Sequence, residues 1–438
     1  MEKPIVIEHR DALIYLLNEA AELEHAIACQ YLFAAFSLKQ RADEGITERQ
    51  LEAVDRWRAV ILKIATEEML HLALVNNLLS AVGAAPRVGR PNMPQRGRYY
   101  APGVQLALLP FGERALRHFV YLERPEGINL PDAEGFEVLE EARPVMDPRD
   151  IVPRPQDFST VGYLYWSIEE GLRRLVERHG EDWLFIGPKR AQASGDTFRW
   201  PELVRVVDLE SARRAIQTIV EQGEGPRGHW ADAHYGRLLV ILGEYRTMRQ
   251  GDPTFEPARP VLPTFARKPR DAEAPAIATD ETTIRLLDSF NVAYEVMLQT
   301  LARFFGSSYE TEAQLSALAD VAVGLMIFVI KPLGEYMSEQ PVGPMHPGKS
   351  AGPAFEMFHG SGFLLPHSRA AWILLHERLL ELHGFLNELL TRDPRHSELS
   401  SVVSAIERMA NTMSDHLLEL KERKVTAPAS EIATDRRG

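Results

Sequence analysis

Two carboxylates and an imidazole stand where amphipathic helices should be apolar. Read at helical spacing, Leu13, Leu17, Ala20, Ile27, Tyr31, Ala34 and Leu38 form one stripe, and Glu24 interrupts it at the middle. A second stripe, Trp57, Ile61, Ile64, Val75, Leu78 and Val82, is interrupted by Glu68 and His71. A lone buried carboxylate is costly, whereas coordination to a cation compensates its charge. Interruptions at matching depth on two helices therefore point to a shared metal. The i, i+3 spacing sets Glu68 and His71 on one helical face, where both can grip one cation while the carboxylate bridges to another. That spacing alone does not select the pair, because Glu22/His25 and Glu356/His359 share it. Glu22/His25 sits on the flank of the first stripe, and Glu356/His359 lies in a Gly-rich loop.

A bundle site needs contributions from two further helices. The third helix offers Glu169 or Glu170: Glu169 continues the stripe Phe158, Gly162, Tyr165, Leu172 and Val176, while Glu170 shares its face with Trp166 and Arg173. The fourth is broken by Gly223, Gly225, Pro226 and Gly228 just after Glu221. It lacks a second ExxH; Glu221 and Glu224 form an ExxE, and His234 follows on the inward stripe Ala231, Leu238, Ile241 and Tyr245. Glu221 and His234 are read as replacing the missing pair, with Glu224 left open. Cys29 is the only cysteine, so any metal takes oxygen and nitrogen ligands. Carboxylate and imidazole donors suit two metal ions, with iron favoured and manganese the other fit.

The positioning elements are helical. Eight long amphipathic segments fall into two groups of four. The first group covers 10–39, 47–82, 157–179 and 209–245, with a crossover at 83–154 whose prolines forbid a long helix. Within that crossover VQLALL and HFVYLE read as short strands or a small helix. A long connection there suits an all-α four-helix bundle of ferritin-like type. The expected organisation is a metal-binding bundle over 1–250, a proline-dense linker over 251–275, a second four-helix bundle over 276–424 and a polar tail over 425–438. In the second group the stripe Leu287, Phe290, Tyr294, Met297, Leu301 and Phe304 has no carboxylate, which predicts a packing, dimerisation or lid role. The loop around His346 and Lys349 is a candidate to reach the first bundle.

Composition excludes several classes. Apolar residues make up 45% and charged residues 25%, the balance of a globular protein. A net charge of -13 argues against a nucleic-acid or anionic-membrane partner, both of which need a basic footprint. The N-terminus shows no export-signal pattern, and the most apolar run, Val321 to Ile330, is about half of a bilayer crossing. A cytoplasmic protein with a small-molecule substrate is expected, with a homodimer open.

The segments ELEHAIACQYLFAAFSLK, ATEEMLHLALVNNLLSAVGAAPRV, and IVEQGEG followed by AHYGRL resemble the ferritin-like domain of iminophenyl-pyruvate dimer synthase type proteins over about residues 10–250. PVGP and SAGPAFEMF are similar to sequence that accompanies this domain. The resemblance includes the much longer oxidative imine-coupling enzymes of violacein and rebeccamycin biosynthesis. It implies a dinuclear, di-iron enzyme activating dioxygen or peroxide on an amine, amino acid or imine. A metal-storage or oxidative-stress protein and a metal-free binding module are the alternatives. Storage cages are built from compact single bundles, which this chain exceeds.

Overall fold

The computed structural model describes residues 5–94, 100–101, 104–136, 152–153, 155–226, 229–270, 274, 276–306, 309–358 and 366–426. The first group begins with a helical hairpin, α1 (Arg10–Ser37) and α2 (Glu48–Ala81). Thr47 caps α2 by accepting from the Gln50 backbone N–H, while the Gln50 side chain accepts from Thr47 in return. The crossover carries the short helix α3 (Glu113–Leu122), so HFVYLE resolves as helix rather than strand. Then follow α4 (Val161–His179), the single turns α5 (Glu181–Leu184) and α6 (Gly195–Phe198), α7 (Leu209–Gly223) and α8 (His234–Gly251). Helices α1, α2, α4 and α7 pack together as four, while α8 lies along α3 and touches α2. The expected fourth helix is thus two helices. Gly225, at φ +84°, turns the chain between them.

The second group comprises α9 (Glu281–Phe305), α10 (Glu312–Leu325), α11 (Lys331–Met337), α12 (Ser368–Arg392) and α13 (Ser400–Thr426). A π-helical turn, Met326–Ile330, joins α10 to α11. The joined helix, Glu312–Met337, is long and apolar enough to cross a membrane, and 61% of its most apolar window is buried inside the fold. It packs against α9 and α13 as a core helix does.

The stretch expected as a linker is built into the structure. Arg259 N donates 2.8 Å to Ser37 O and Lys39 N donates 2.9 Å to Pro257 O, tying it to the end of α1. Its prolines forbid helix but fit extended backbone. Strand β1 (Val261–Phe265) runs parallel to β2 (Ala276–Ile277) and β3 (Ser350–Pro353), in the order β2-β1-β3. Val261 pairs with Ser350 and Thr264 with Ala276. At Gly352 a Cβ would sit 2.4 Å from the Phe33 ring, so glycine allows β3 to lie directly on α1. The His346 and Lys349 loop does approach the first group: it lines one basin with Arg41 and Glu44.

Helix α1 is the centre of the molecule. From Glu19 to Leu38 only Leu32 escapes full burial. A helix apolar nearly all round is one enclosed on all sides. Here α2 and α4 cover one side, and β3 and α11 of the second half contribute to the other. The buried apolar side chains of both halves form one continuous cluster.

Candidate metal centre

Four chain segments converge on Glu68. Helix α2 presents it with His71 one turn on, and α1 presents Glu24 at the same depth. The first residue of α8 is His234, and Glu123 caps the C-terminus of α3. His71 Nδ1 lies 3.1 Å from Glu68 Oε2 and 3.4 Å from Glu24 Oε2. His234 Nδ1 lies 2.8 Å from Glu68 Oε1 and 3.4 Å from Glu123 Oε1. Two triads result, Glu24/Glu68/His71 and Glu68/Glu123/His234, each with one ligand atom per residue within 4.8 Å of the others. Glu68 belongs to both. Glu24, Glu68 and His71 are each 2% exposed and His234 is 0%.

Each imidazole is held from outside through its far nitrogen. The far nitrogen of His71 meets Gln222 Oε1 at 3.0 Å, and that of His234 meets Glu67 Oε2 at 3.1 Å. Both imidazoles are therefore held with Nδ1 turned inward, as metal-ligating histidines are. Tyr165 donates to Glu24, and Tyr31 donates to Glu123. His234 Nδ1 is buried without a hydrogen bond, although Glu68 Oε1 is 2.8 Å away. Such close approach without hydrogen-bonding geometry fits a set of donors directed at a common cation.

Electrostatics agree. Burial and the neighbouring Glu68 raise the Glu24 carboxyl to about 8. His234 and His71 overcome burial to hold Glu68 well below the usual carboxylate range. Against burial, Glu68 and Glu24 raise His71 to about 10, and Glu68 and Glu123 push His234 well up. The carboxylates thus draw positive charge onto the imidazoles. A metal cation satisfies the same carboxylates and returns the imidazoles to their neutral, ligating form.

A small cavity of about 20 Å³ opens beside the cluster, bounded by Glu24, Glu68, His71, Glu123, Tyr165, Gly162 and Glu224 among others. It has room for about one water-sized molecule. Glu224 accepts from the Gly162 N–H at 2.8 Å, and burial raises its carboxyl to about 7. Glycine at 162 permits this, because a Cβ there would sit 2.1 Å from the Glu224 carboxylate.

Of the residues singled out in the sequence, Glu24, Glu68, His71 and His234 come together, and Glu169, Glu170 and Glu221 do not. Helix α4 buries Tyr165, Ile168, Leu172 and Leu175, a register that carries both glutamates away from the interior. Glu169 pairs with Arg213 at 2.7 Å, and Glu170 pairs with Arg173 and Arg174. What α4 contributes is the hydroxyl of Tyr165. Helix α7 buries Ala215, Ile216, Ile219 and Gly223, so Glu221 is exposed and takes a hydrogen bond from Gln217 at 2.7 Å. Gln222 reaches His71 instead. Glu123, at the end of HFVYLE, was missed, because the signal lay in a short amphipathic helix inside a proline-rich crossover. The other two ExxH pairs lie elsewhere: Glu22 binds Arg87, His25 binds Tyr294, Glu356 binds Asn291, and His359 lies outside the described residues.

Several known proteins are similar to this chain. Dichlorochromopyrrolate synthase of Lentzea aerocolonigenes is 28% identical over 82% of this chain and 37% of its own length. The 2-imino-3-(indol-3-yl)propanoate dimerase of Chromobacterium violaceum is 31% identical over 80% of this chain and 34% of its own. The chain therefore spans about a third of the length of these curated relatives. A solved structure described as a ferritin-like protein from Caulobacter vibrioides superposes with a TM-score of 0.46 at 16% identity, covering 73% of this chain and 96% of that one. A family profile described as ferritin-like matches residues 17–242, more than half of the chain. With its four packed helices and its carboxylate and histidine cluster, this chain belongs to the ferritin-like family.

Proposed function

We propose that this chain is a dinuclear oxidative enzyme of small-molecule metabolism, using two irons to oxidise an amine, amino acid or imine at the expense of dioxygen or peroxide. The observation that carries the reading is the sharing of Glu68 between two triads. One carboxylate flanked by two inward-turned imidazoles is a donor set for a pair of cations, and donors of this kind suit iron, with manganese as the second fit. When bound, such a pair supplies the redox capacity and open coordination positions that the side chains lack.

The chain's own residues have definable tasks. Glu68 would serve both metal positions, and Glu24 and Glu123 would each serve one. Tyr165 and Tyr31 orient those outer carboxylates through their hydroxyls. Glu67 and Gln222 fix the imidazole rings. Glu224, with its carboxyl near 7 and its position on the small cavity, can hold or release a proton beside the site. The curated relatives are named as a synthase of dichlorochromopyrrolate and a dimerase of an indole-bearing imino acid, which supports an imine substrate here.

The test is turnover. Iron-loaded protein is mixed with an aromatic 2-imino acid generated in situ from its amino acid, and oxygen or peroxide consumption is followed with mass-spectrometric product analysis. Consumption and product that require iron and vanish in Glu68→Ala are the expected result. Equal consumption by the metal-free protein would contradict the reading, and iron uptake into a large cage without product would favour storage.

A further inference from the structure

Helix α1 separates two different interiors. Glu24 and Ile27 face the carboxylate cluster, while the adjoining His25 and Ala28 face the other way, into a cavity of about 260 Å³. The same division runs along α2, where Glu68 serves the cluster and Ala65 and Met69 line the cavity. The far wall comes from the second half of the chain, chiefly Tyr294 of α9 and Met326, Ile327 and Ile330 of the π-helical turn.

Well-packed interiors leave few spaces larger than a water, so an apolar cavity this size lacks a packing explanation. Its wall is also unusual. A π-helical turn is rare in soluble helices and is found mostly at functional sites. Here it leaves Ile327 51% exposed at the mouth of the cavity, a large apolar side chain turned to solvent at the entrance.

The floor carries a polar group of defined chemistry. Tyr294 hydrogen-bonds His25, and its hydroxyl also lies 3.4 Å from Cys29 Sγ and 3.2 Å from Arg90 Nη2. Arg90 is buried and donates to the carbonyls of Phe355 at 2.8 Å and Pro91 at 2.9 Å. Lys331 is part of the lining, and among the described residues no acidic side chain lines the cavity. Aromatic side chains, Phe36, Phe198, Trp200 and Phe355, supply much of the remaining wall. A cationic occupant would find no lining carboxylate to pair with, because the nearest one at Lys331, Glu335, is already engaged by that lysine at 3.0 Å. Apolar, aromatic-rich walls with the hydroxyls of Tyr294 and Thr66 suit a ring system instead. The volume lies just under the usual range for ligand pockets, roughly 300–1,000 Å³, which restricts the occupant to one or two fused rings.

We propose that this cavity is a second small-molecule site, on the opposite side of the α1 and α2 layer from the carboxylate cluster, for a planar aromatic molecule bearing no positive charge. It takes up the one ExxH histidine in the described structure that the cluster leaves unused, His25, as the support of the Tyr294 hydroxyl.

Isothermal titration calorimetry of the full chain tests this with indole as the neutral probe and tryptamine as its cationic counterpart. Indole is expected to bind saturably, one per chain, and tryptamine at least about tenfold more weakly. Ala65→Leu fills the cavity from α2 and should weaken indole at least about tenfold; Ala28→Met fills it from α1 and serves if the first variant does not fold. Glu68→Ala should bind indole like the wild type, so the outcome is separate from that of the metal reading. Absence of saturable indole binding, unchanged binding in a folded cavity-filling variant, loss in Glu68→Ala, or equal binding of tryptamine would each overturn the proposal.

Discussion

Across Glu68, His71 and His234 face one another with ring centroids 5.5 Å apart and planes 26° from parallel, each turning Nδ1 toward that carboxylate. The two rings come from helices that enter from different parts of the chain, and each is anchored by its far nitrogen. The anchors differ in kind. Gln222 is neutral, whereas Glu67 is charged and also engages Arg237.

Removing an anchor should loosen metal without removing a ligand. Gln222→Leu and Glu67→Leu are expected to lower metal affinity by roughly 10–100-fold each, measured by competition with a chelator of known affinity. Affinity unchanged in both variants would show that the rings are held by other means.

Glu123 distinguishes the candidate ligand set brought together in the fold from the one suggested by helical periodicity. Glu123→Ala should reduce bound metal by about half, because it belongs to one triad only. Glu169→Ala, Glu170→Ala and Glu221→Ala should leave metal content unchanged, as read by elemental analysis. Metal loss in any of these three variants, with Glu123→Ala silent, would contradict the geometry.

Glu224 makes a pH-dependent prediction. Its carboxyl titrates near 4.5 when unfolded and at about 7 when folded, raised by burial. A group that holds its proton more tightly on folding contributes stability in full below its unfolded value, and loses it as pH rises through the folded value. Glu224→Gln removes that loss. In metal-free protein the variant should therefore gain on the wild type between about pH 5 and about pH 8, by on the order of 2–3 kcal/mol. Denaturant midpoints at each pH measure it, and a flat or falling difference would contradict it.

The second half carries its own buried charge pair. Arg303 Nε donates 2.6 Å to Glu310, with side chains 3% and 0% exposed. Arg303→Met removes the guanidinium from the buried Glu310 charge, to which Ser368 and Trp372 also donate, and should destabilise the chain by roughly 3–5 kcal/mol. Metal content should not change. Thermal melts and elemental analysis together test both parts.

Much of the site was legible because it lay on long helices. Glu24, Glu68 and His71 each broke an apolar stripe at a countable position, and inwardness could be read from the neighbours three and four residues away. His234 was legible from its own stripe. What failed was register on α4: the periodicity allowed two phases, and the observed one buries Ile168 and directs Tyr165, not Glu169, at Glu24. Glu123 sits at the end of a ten-residue helix, where few repeats exist to establish a face. The stretch at 251–275 read as a linker because prolines exclude helix, yet the pairing of Val261–Phe265 with Ser350–Pro353 is a contact between segments far apart in sequence, which no local pattern encodes. The enclosure of α1 by both halves escaped for the same reason.

The most direct measurement is the metal content of protein purified without chelators, beside its Glu68→Ala variant. The account predicts about two iron or manganese ions per chain in the wild type and loss of both in the variant, since Glu68 serves both triads. Protein that is metal-free as purified and takes up no ferrous iron, or a folded Glu68→Ala variant that retains both ions, would contradict it.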